Sequence, residues 1–237
     1  METMTGTLYL IPTTMGDCDL DRVLPTYNHA IVKSLKHFIV EDIRTARRFL
    51  KKVDREIVID DLSFTTHNEQ TPQSEVEQLL TPLLQGHNVG IISEAGCPAI
   101  ADPGADVVRL AQERRLHVVP LVGPSSILMS LMASGFNGQN FAFVGYLPIE
   151  QHERGKAIKN LEKKVYGENQ TQIFIETPYR NLKLLEDIER NCLQQTRLCV
   201  ATDISLETEF IETKTVSEWK RKLPDIHKRP TIFLLGK

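Results

Sequence analysis

The 237-residue chain sets 28 Lys and Arg against 31 Asp and Glu, a net charge of −3. That excludes the strongly basic composition of a general nucleic-acid coat and leaves any RNA contact to a local basic face. Its 41% hydrophobic and 25% charged residues are those of an ordinary globular chain, and no apolar run approaches the roughly 18 residues needed to span a bilayer. The opening METMTGTLYLIPTT lacks the basic leader and long apolar stretch of a secretory signal, so a cytoplasmic protein without membrane association is expected. Cys18, Cys97, Cys192 and Cys199 have no paired or metal-ligating spacing and read as thiols in a reducing compartment.

In chain order, TLYLIP, HFIVE, EIVIDD, NVGIIS and HVVPLV read as strands, several apolar on both faces. Residues 42–53, 74–85 and 104–115 read as the helices between them. The alternation predicts βαβ units and a parallel sheet covered on both sides. After Gly123 come a helix in PSSILMSLMASG, a strand in FAFVGYLP, a charged helix, a strand in TQIFIETP and a further helix. RLCVATDIS, EFIETKTV and PTIFLLGK follow, at spacings that favour antiparallel pairing. The expected fold is α/β with two domains, a parallel-sheet domain over 1–122 and a mixed-sheet α/β domain over 123–237, with a ligand cleft between them. Met129 and Met132 read as core fillers, and Lys156, Lys159, Lys163 and Lys164 as an exposed helix face.

Three segments deliver loops to the carboxyl edge of the first sheet, where open α/β sheets bind ligands. LYLIPTTMGD ends a strand at Pro12 and turns through Gly16. GIISEAGCPAIADPG combines Gly96 and Gly104, which permit unusual backbone angles, with Pro98 and Pro103, which fix φ. Its Glu94 and Asp102 are acceptors for hydroxyls or an amine. VVPLVGPSS ends at the mouth of a helix, where Ser125 or Ser126 alone also reads as a cap. A single loop of this composition is a rigid connector; three at one edge point to a ligand. There is no GxxxxGK[ST] and no GxGxxG after the first strand, so a ligand with hydroxyl and amino groups fits better than a phosphate-anchored nucleotide.

In helix 42–53, Ile43, Ala46, Leu50 and Val53 form the buried stripe. Arg44, Arg47, Arg48, Lys51 and Lys52 cover the remainder, more cations than solubility requires and suited to phosphate contacts, although a solvated face has the same pattern. Glu41, Asp42, His67 and Glu69 are candidates for moving a proton. Asp42 equally reads as the helix cap, and His67 as a loop histidine.

LYLIPTTMGD, VEDIRTARRFL, THNEQ, SEAGCPAIADPG, VVPLVGPSSILMSLMASG, FVGYLP and IFIETPYR stand in the order found in the tetrapyrrole methylase superfamily. Over residues 7–182 the chain most resembles its ribosomal RNA small subunit methyltransferase I branch, whose members methylate a cytidine ribose 2′-oxygen. The resemblance implies S-adenosylmethionine as cofactor, S-adenosylhomocysteine as product, a homodimer, and ribosomal RNA or the small ribosomal subunit as partner. It implies cofactor contacts, many through the backbone, at Pro12, Glu94, Ala95, Gly96, Ile100, Ala101, Asp102, Ser125, Ser126, Leu147 and Pro178, with PTIFLLGK near the adenine. It makes Asp42, Arg44, His67 and Glu69 catalytic candidates. Arg44, Arg47, Arg48 and Arg180 become substrate-binding candidates, Glu176 being a partner for Arg180, and no metal is implied. The chain departs from the branch in having Glu94 for Asp, Cys97 for Thr, Ala99 for Gly and ATDISLE for ARELTK, and it stops at Lys237 without the branch's C-terminal extension. These departures keep open a small-molecule, tetrapyrrole-like or protein acceptor, and a non-catalytic protein that binds an adenosyl ligand.

Overall fold

The computed structural model describes residues 5–68 and 70–237, which divide into two compact units, one ending at Ser125 and the other starting at Ser126. The candidate Glu69 lies outside the described residues. Among the described residues no helix is long and apolar enough to cross a membrane.

The first unit runs β1 (Thr7–Ile11), α1 (Thr26–Ser34), β2 (His37–Val40), α2 (Ile43–Val53), β3 (Ser63–Thr66), α3 (Gln73–Val76), α4 (Thr81–Leu84), β4 (Val89–Ile92), α5 (Gly104–Glu113) and β5 (His117–Pro120). Its strands lie in the order β3-β2-β4-β1-β5, every pair parallel. Side chains alternate between the two faces of each strand. Ile11, Phe38, Val40 and Ile92 pack against Val32 and Leu35 of α1 and against Ala46 and Leu50 of α2. Leu8, Ile39, Val89 and Ile91 pack against α5 and the Val76–Leu83 segment. Both faces are therefore buried, which is why these strands read as apolar runs. Because all the strands point the same way, Pro12, Glu41, His67, Ser93 and Leu121 emerge at one edge, and the site is built there.

Two expectations in this unit are corrected. EIVIDD is not a strand: Ile59–Asp61 forms a 3₁₀ turn, and Ile57, Ile59 and Leu62 pack on the core as a cap. The strand is the next segment, SFTT, an edge strand whose Ser63, Thr65 and Thr66 are exposed, so its polarity hid it. Residues 74–85 are not one helix but α3, a 3₁₀ turn over Glu77–Leu80, and α4. Pro82 has no N–H to offer the carbonyl four residues back, so an α-helix cannot run through it unbroken.

The second unit runs α6 (Ser126–Ser134), β6 (Phe141–Tyr146), α7 (Gln151–Glu168), β7 (Thr171–Ile175), α8 (Asn181–Asn191), β8 (Arg197–Thr202), β9 (Phe210–Thr215), α9 (Val216–Trp219) and β10 (Thr231–Gly236). Its sheet, ordered β6-β7-β10-β8-β9, is mixed: β6 and β7 are parallel, and the other pairs antiparallel. Phe174, Val200, Phe233 and Leu235 pack against Ile158 and Val165 of α7, Leu184 and Ile188 of α8, and Trp219. The Trp219 indole N–H donates to the Leu198 carbonyl at 2.9 Å, which satisfies its one polar atom inside the core. Lys156, Lys159, Lys163 and Lys164 are exposed as expected. Met132 is not a core filler: it is 81% exposed on α6, while Met129 is half-buried.

Candidate functional site

Hydrogen bonds tie the loops after β1, β4 and β5 into one platform. The Thr13 N–H donates to the Gly96 carbonyl at 2.9 Å, its hydroxyl donates to the Ser93 carbonyl at 3.2 Å, and the Ser93 hydroxyl donates to the same Gly96 carbonyl at 2.8 Å. The Cys97 thiol donates to the Pro124 carbonyl at 3.3 Å. Gly96 has φ +71°, and a Cβ on Gly123 would lie 2.2 Å from Pro12 Cγ, so glycine is needed at one position for conformation and at the other for close approach. Pro12, Glu94, Ala95 and Gly96 are thereby brought together. Thr13 and Ser93, which sequence reasoning missed, do the tying; they stand two residues and one residue past the ends of β1 and β4, and that position was the available signal.

The rest of the loop after β4 is held in an unusual shape. Ala99 and Ala101 have φ of 64° and 54°, left-handed values that cost an ordinary residue roughly 1–2 kcal/mol. Asp102 offsets this, its Oδ1 accepting the Ala99 N–H at 3.1 Å and the Gly104 N–H at 2.7 Å. Its carboxylate also stands at the start of α5, where negative charge is favoured. Ile100 is exposed on the turn. Replacing Ala99 by Gly is expected to raise stability by about 0.5–1 kcal/mol, the left-handed cost less the greater chain entropy of glycine. The midpoint of urea denaturation checks this.

Along β2 and α2 the groups are charged. Asp42 is the cap of α2, its Oδ1 accepting the Thr45 N–H at 2.8 Å, and these bonds hold its carboxyl below the ordinary range. The Thr45 hydroxyl lies 2.8 Å from Glu94 Oε1 and 2.9 Å from Asp42 Oδ1, donating to one at a time. Glu41, half-buried, is pushed up to about 7, first by burial and then by the charge of Asp102, the Asp102 hydrogen bond and Glu94, against a Glu94 N–H that pulls the other way. His67 is buried, and its Nε2 lies 2.9 Å from the Pro103 carbonyl.

The five cations of α2 separate into two groups. Lys51 donates to the Arg55 carbonyl and Lys52 to Asp17 and the Cys18 carbonyl. Arg44, Arg47 and Arg48 instead line an open cavity of about 550 Å³ with Glu41, Asp42 and Thr66, Arg47 also lying over the Phe64 ring. A second cavity of about 450 Å³ runs from Thr13 and Ser93 past Glu94 and Thr45 to Arg48.

In the second unit, Leu147 is buried in the core, and the loop that follows it is clamped by Arg154. The Arg154 guanidinium donates to the Pro148 and Ile149 carbonyls at 3.0 and 2.5 Å and forks onto Asp187 Oδ2 at 2.9 and 2.5 Å. Pro178 opens a 3₁₀ turn. Arg180 donates through Nε and Nη2 to Glu176 Oε1 at 3.0 and 2.6 Å, so its charge is already met by a buried carboxylate. In ATDIS, Asp203 Oδ2 accepts from Arg229 Nε at 2.9 Å and from the Thr208 hydroxyl at 2.8 Å, a tie the sequence did not reveal. Ser126 is the first residue of α6, and both Ser125 and Ser126 are half-buried. Among the described residues no cluster of metal-ligating side chains occurs.

The family description Tetrapyrrole (Corrin/Porphyrin) Methylases matches residues 8–220. The chain is 29% identical to Ribosomal RNA small subunit methyltransferase I of Haemophilus influenzae, over 99% of this chain and 80% of that one. It is 31% identical to the protein of that name in Escherichia coli O157:H7, over 90% and 70%, and 30% identical to the one in Bacillus subtilis, over 90% and 68%. Among solved structures the fold is shared with the methyltransferase CobJ, with a TM-score of 0.64 at 14% identity over 99% of this chain and 94% of that one. It is shared too with the cobalt precorrin-4 methyltransferase CbiF, with a TM-score of 0.61 at 15% identity over 97% and 94%. A match over this length, to a chain whose parallel and mixed sheets are those described above, places the protein: it belongs to the tetrapyrrole methylase family and is a methyltransferase that uses S-adenosylmethionine.

Proposed function

We propose that the chain methylates a ribose 2′-oxygen of small-subunit ribosomal RNA, with S-adenosylmethionine held on the strand-end platform of the first unit. The observation that carries the RNA part is the cavity in which Arg44, Arg47 and Arg48 converge beside Glu41. Three exposed guanidiniums around one concavity suit phosphates, which arginine grips with paired donors. The names of the relatives point to the same acceptor.

The platform fits the cofactor by its donor set. It offers the fixed backbone of Pro12, Ala95, Gly96 and Ala101, and the carboxylates of Glu94 and Asp102 suit an ammonium and ribose hydroxyls. When bound, the cofactor supplies a methyl group on a positively charged sulfur, which the surrounding acids favour electrostatically. The chain's part is then to align the acceptor with that methyl, since good orientation contributes roughly 7–11 kcal/mol to such a step. Of the three arginines on the cavity wall, Arg44 stands nearest Glu41 in sequence and is the positioning residue we favour.

We place the protein in the cytoplasm as a homodimer, in which a second copy would cover exposed apolar side chains such as Met132. The test is transfer of a labelled methyl group to small ribosomal subunits from a strain lacking this protein, beside free ribosomal RNA, transfer RNA and a mixture without acceptor. Label on one ribose of the small-subunit RNA is the expected result. Binding of S-adenosylhomocysteine with no transfer to any RNA would overturn the reading and favour another acceptor.

A further inference from the structure

Where β2 ends, one carboxyl borders two spaces of different character. On one side Glu41 lines the arginine cavity of about 550 Å³ with Arg44, Arg47 and Arg48. On the other it lines a void of about 10 Å³ shared with His67, Asp102 and Gly104. We propose that Glu41 is the base that takes the proton from the acceptor hydroxyl, with Asp102 and His67 as its positioning residues. This rests on the methyl-transfer reading above.

The neighbouring acids fix the backbone or Thr45 in place, whereas Glu41 is hydrogen-bonded to the Asp102 carboxyl and the Glu94 N–H. Asp42 caps α2 through Thr45, and Glu94 Oε1 receives the Thr45 hydroxyl. Asp102 Oδ1 holds two backbone N–H groups. Glu41 alone among them faces both the arginines and a buried proton acceptor. That acceptor is His67, only 4% exposed. A carbonyl cannot donate, so His67 Nε2 carries the hydrogen that binds the Pro103 carbonyl, which leaves Nδ1 as the ring position that can accept a proton. Nδ1 is buried with no hydrogen-bond partner, an arrangement that costs free energy unless a donor arrives.

The charged and titratable groups facing Glu41 are Asp42, Arg44, Arg47 and Arg48 from the α2 side, Glu94 from the end of β4, Asp102 from the loop before α5, and the His67 ring from the end of β3. Burial among these acids brings Glu41 to about 7, near the value at which a base is both available and strong enough at neutral pH.

In the step itself, the hydroxyl proton passes to the Glu41 carboxylate as the oxygen–methyl bond forms and the sulfur–methyl bond breaks, the sulfur keeping the electron pair. The positive charge on sulfur and the negative charge on Glu41 are both cancelled. Glu41 is left as the acid and returns its proton to water by way of Asp102 or His67.

The test uses the full chain with Glu41→Gln and Glu41→Asp. Wild-type transfer should rise with pH through about 7 and then level off. Glu41→Gln should lower it by about 10²–10⁴-fold and remove that rise, with S-adenosylhomocysteine affinity unchanged by calorimetry. Glu41→Asp should restore part of the rate. A second readout needs no cofactor. The folded pKa lies above the ordinary 4.5, so the folded state holds the proton more tightly, and stability should fall as pH climbs from about 4.5 to 7. Melting temperatures should show that fall in the wild type and a smaller one in Glu41→Gln, and the Glu41 carboxyl carbon should titrate near 7 by NMR. Wild-type rates and pH profile in Glu41→Gln would overturn the proposal, as would a Glu41 carbon titrating in the ordinary carboxylate range. Failure of the wild type on every acceptor would instead overturn the methylation reading.

Discussion

Asp187→Ala is expected to destabilise the protein by about 3–5 kcal/mol, the cost of removing one partner from a buried ion pair. Arg154 is 5% exposed and Asp187 1%. Without the carboxylate, the guanidinium keeps only the Pro148 and Ile149 carbonyls as acceptors and remains charged away from water. Gln151, which donates to Asp187 Oδ1 at 3.3 Å, loses its partner as well. The exposed pair of Lys156 and Glu153 on the same helix should by contrast contribute only about 0–1 kcal/mol. Urea denaturation of the two single variants, Asp187→Ala and Glu153→Ala, separates the cases. Replacing Arg154 and Asp187 together by apolar residues of similar volume should recover much of the loss, because no orphan charge remains.

How much of this was legible in the sequence depends on whether the cause is local. The buried strands of the first sheet announced themselves as apolar runs because both of their faces are covered, and α2 did so through its stripe and its cap. The edge strand Ser63–Thr66 did not, because a strand open on one side keeps polar side chains and lends its apolar signal to the turn before it. The platform loops were legible through Gly, Pro and acids at strand ends. The residues joining them were not, since Thr13 and Ser93 gain their meaning only when the loops after β1 and β4 meet. Glu41 stood out as an acid after a strand, yet its perturbation comes from burial and from Asp102, which the chain brings close only on folding. Arg154 and Asp187 are likewise 33 residues apart, and nothing local to either marks them as a pair. Met132 misled because methionine favours cores, whereas its position on α6 faces outward.

The sharpest effect on acceptor binding should come from replacing Arg44, Arg47 and Arg48 together by Gln. Each cation lost from a phosphate removes about 0.7–0.9 from the slope of log affinity against log salt. Three such losses make the slope shallower by about 2–3, so over a fourfold rise in salt the wild type should lose roughly 20–40-fold more affinity than the variant. All three side chains are exposed, so stability should change by no more than about 0.5 kcal/mol at each site, with Arg47 giving up at most a cation–π contact to Phe64. The control lies on the same helix. Lys51 and Lys52 bond the Arg55 carbonyl, Asp17 and the Cys18 carbonyl, so Lys51→Gln with Lys52→Gln should leave the slope almost unchanged. The arginine variant loses three positive charges and the lysine variant two, so long-range attraction alone would lower the slope in about that proportion rather than in one variant only. Filter binding of small-subunit RNA across a salt series, with S-adenosylhomocysteine affinity as the check on the platform, decides the matter. A slope lost equally in both variants would make α2 a diffuse positive face, whereas a slope lost only with the arginines would identify their cavity as the place where the phosphates are held.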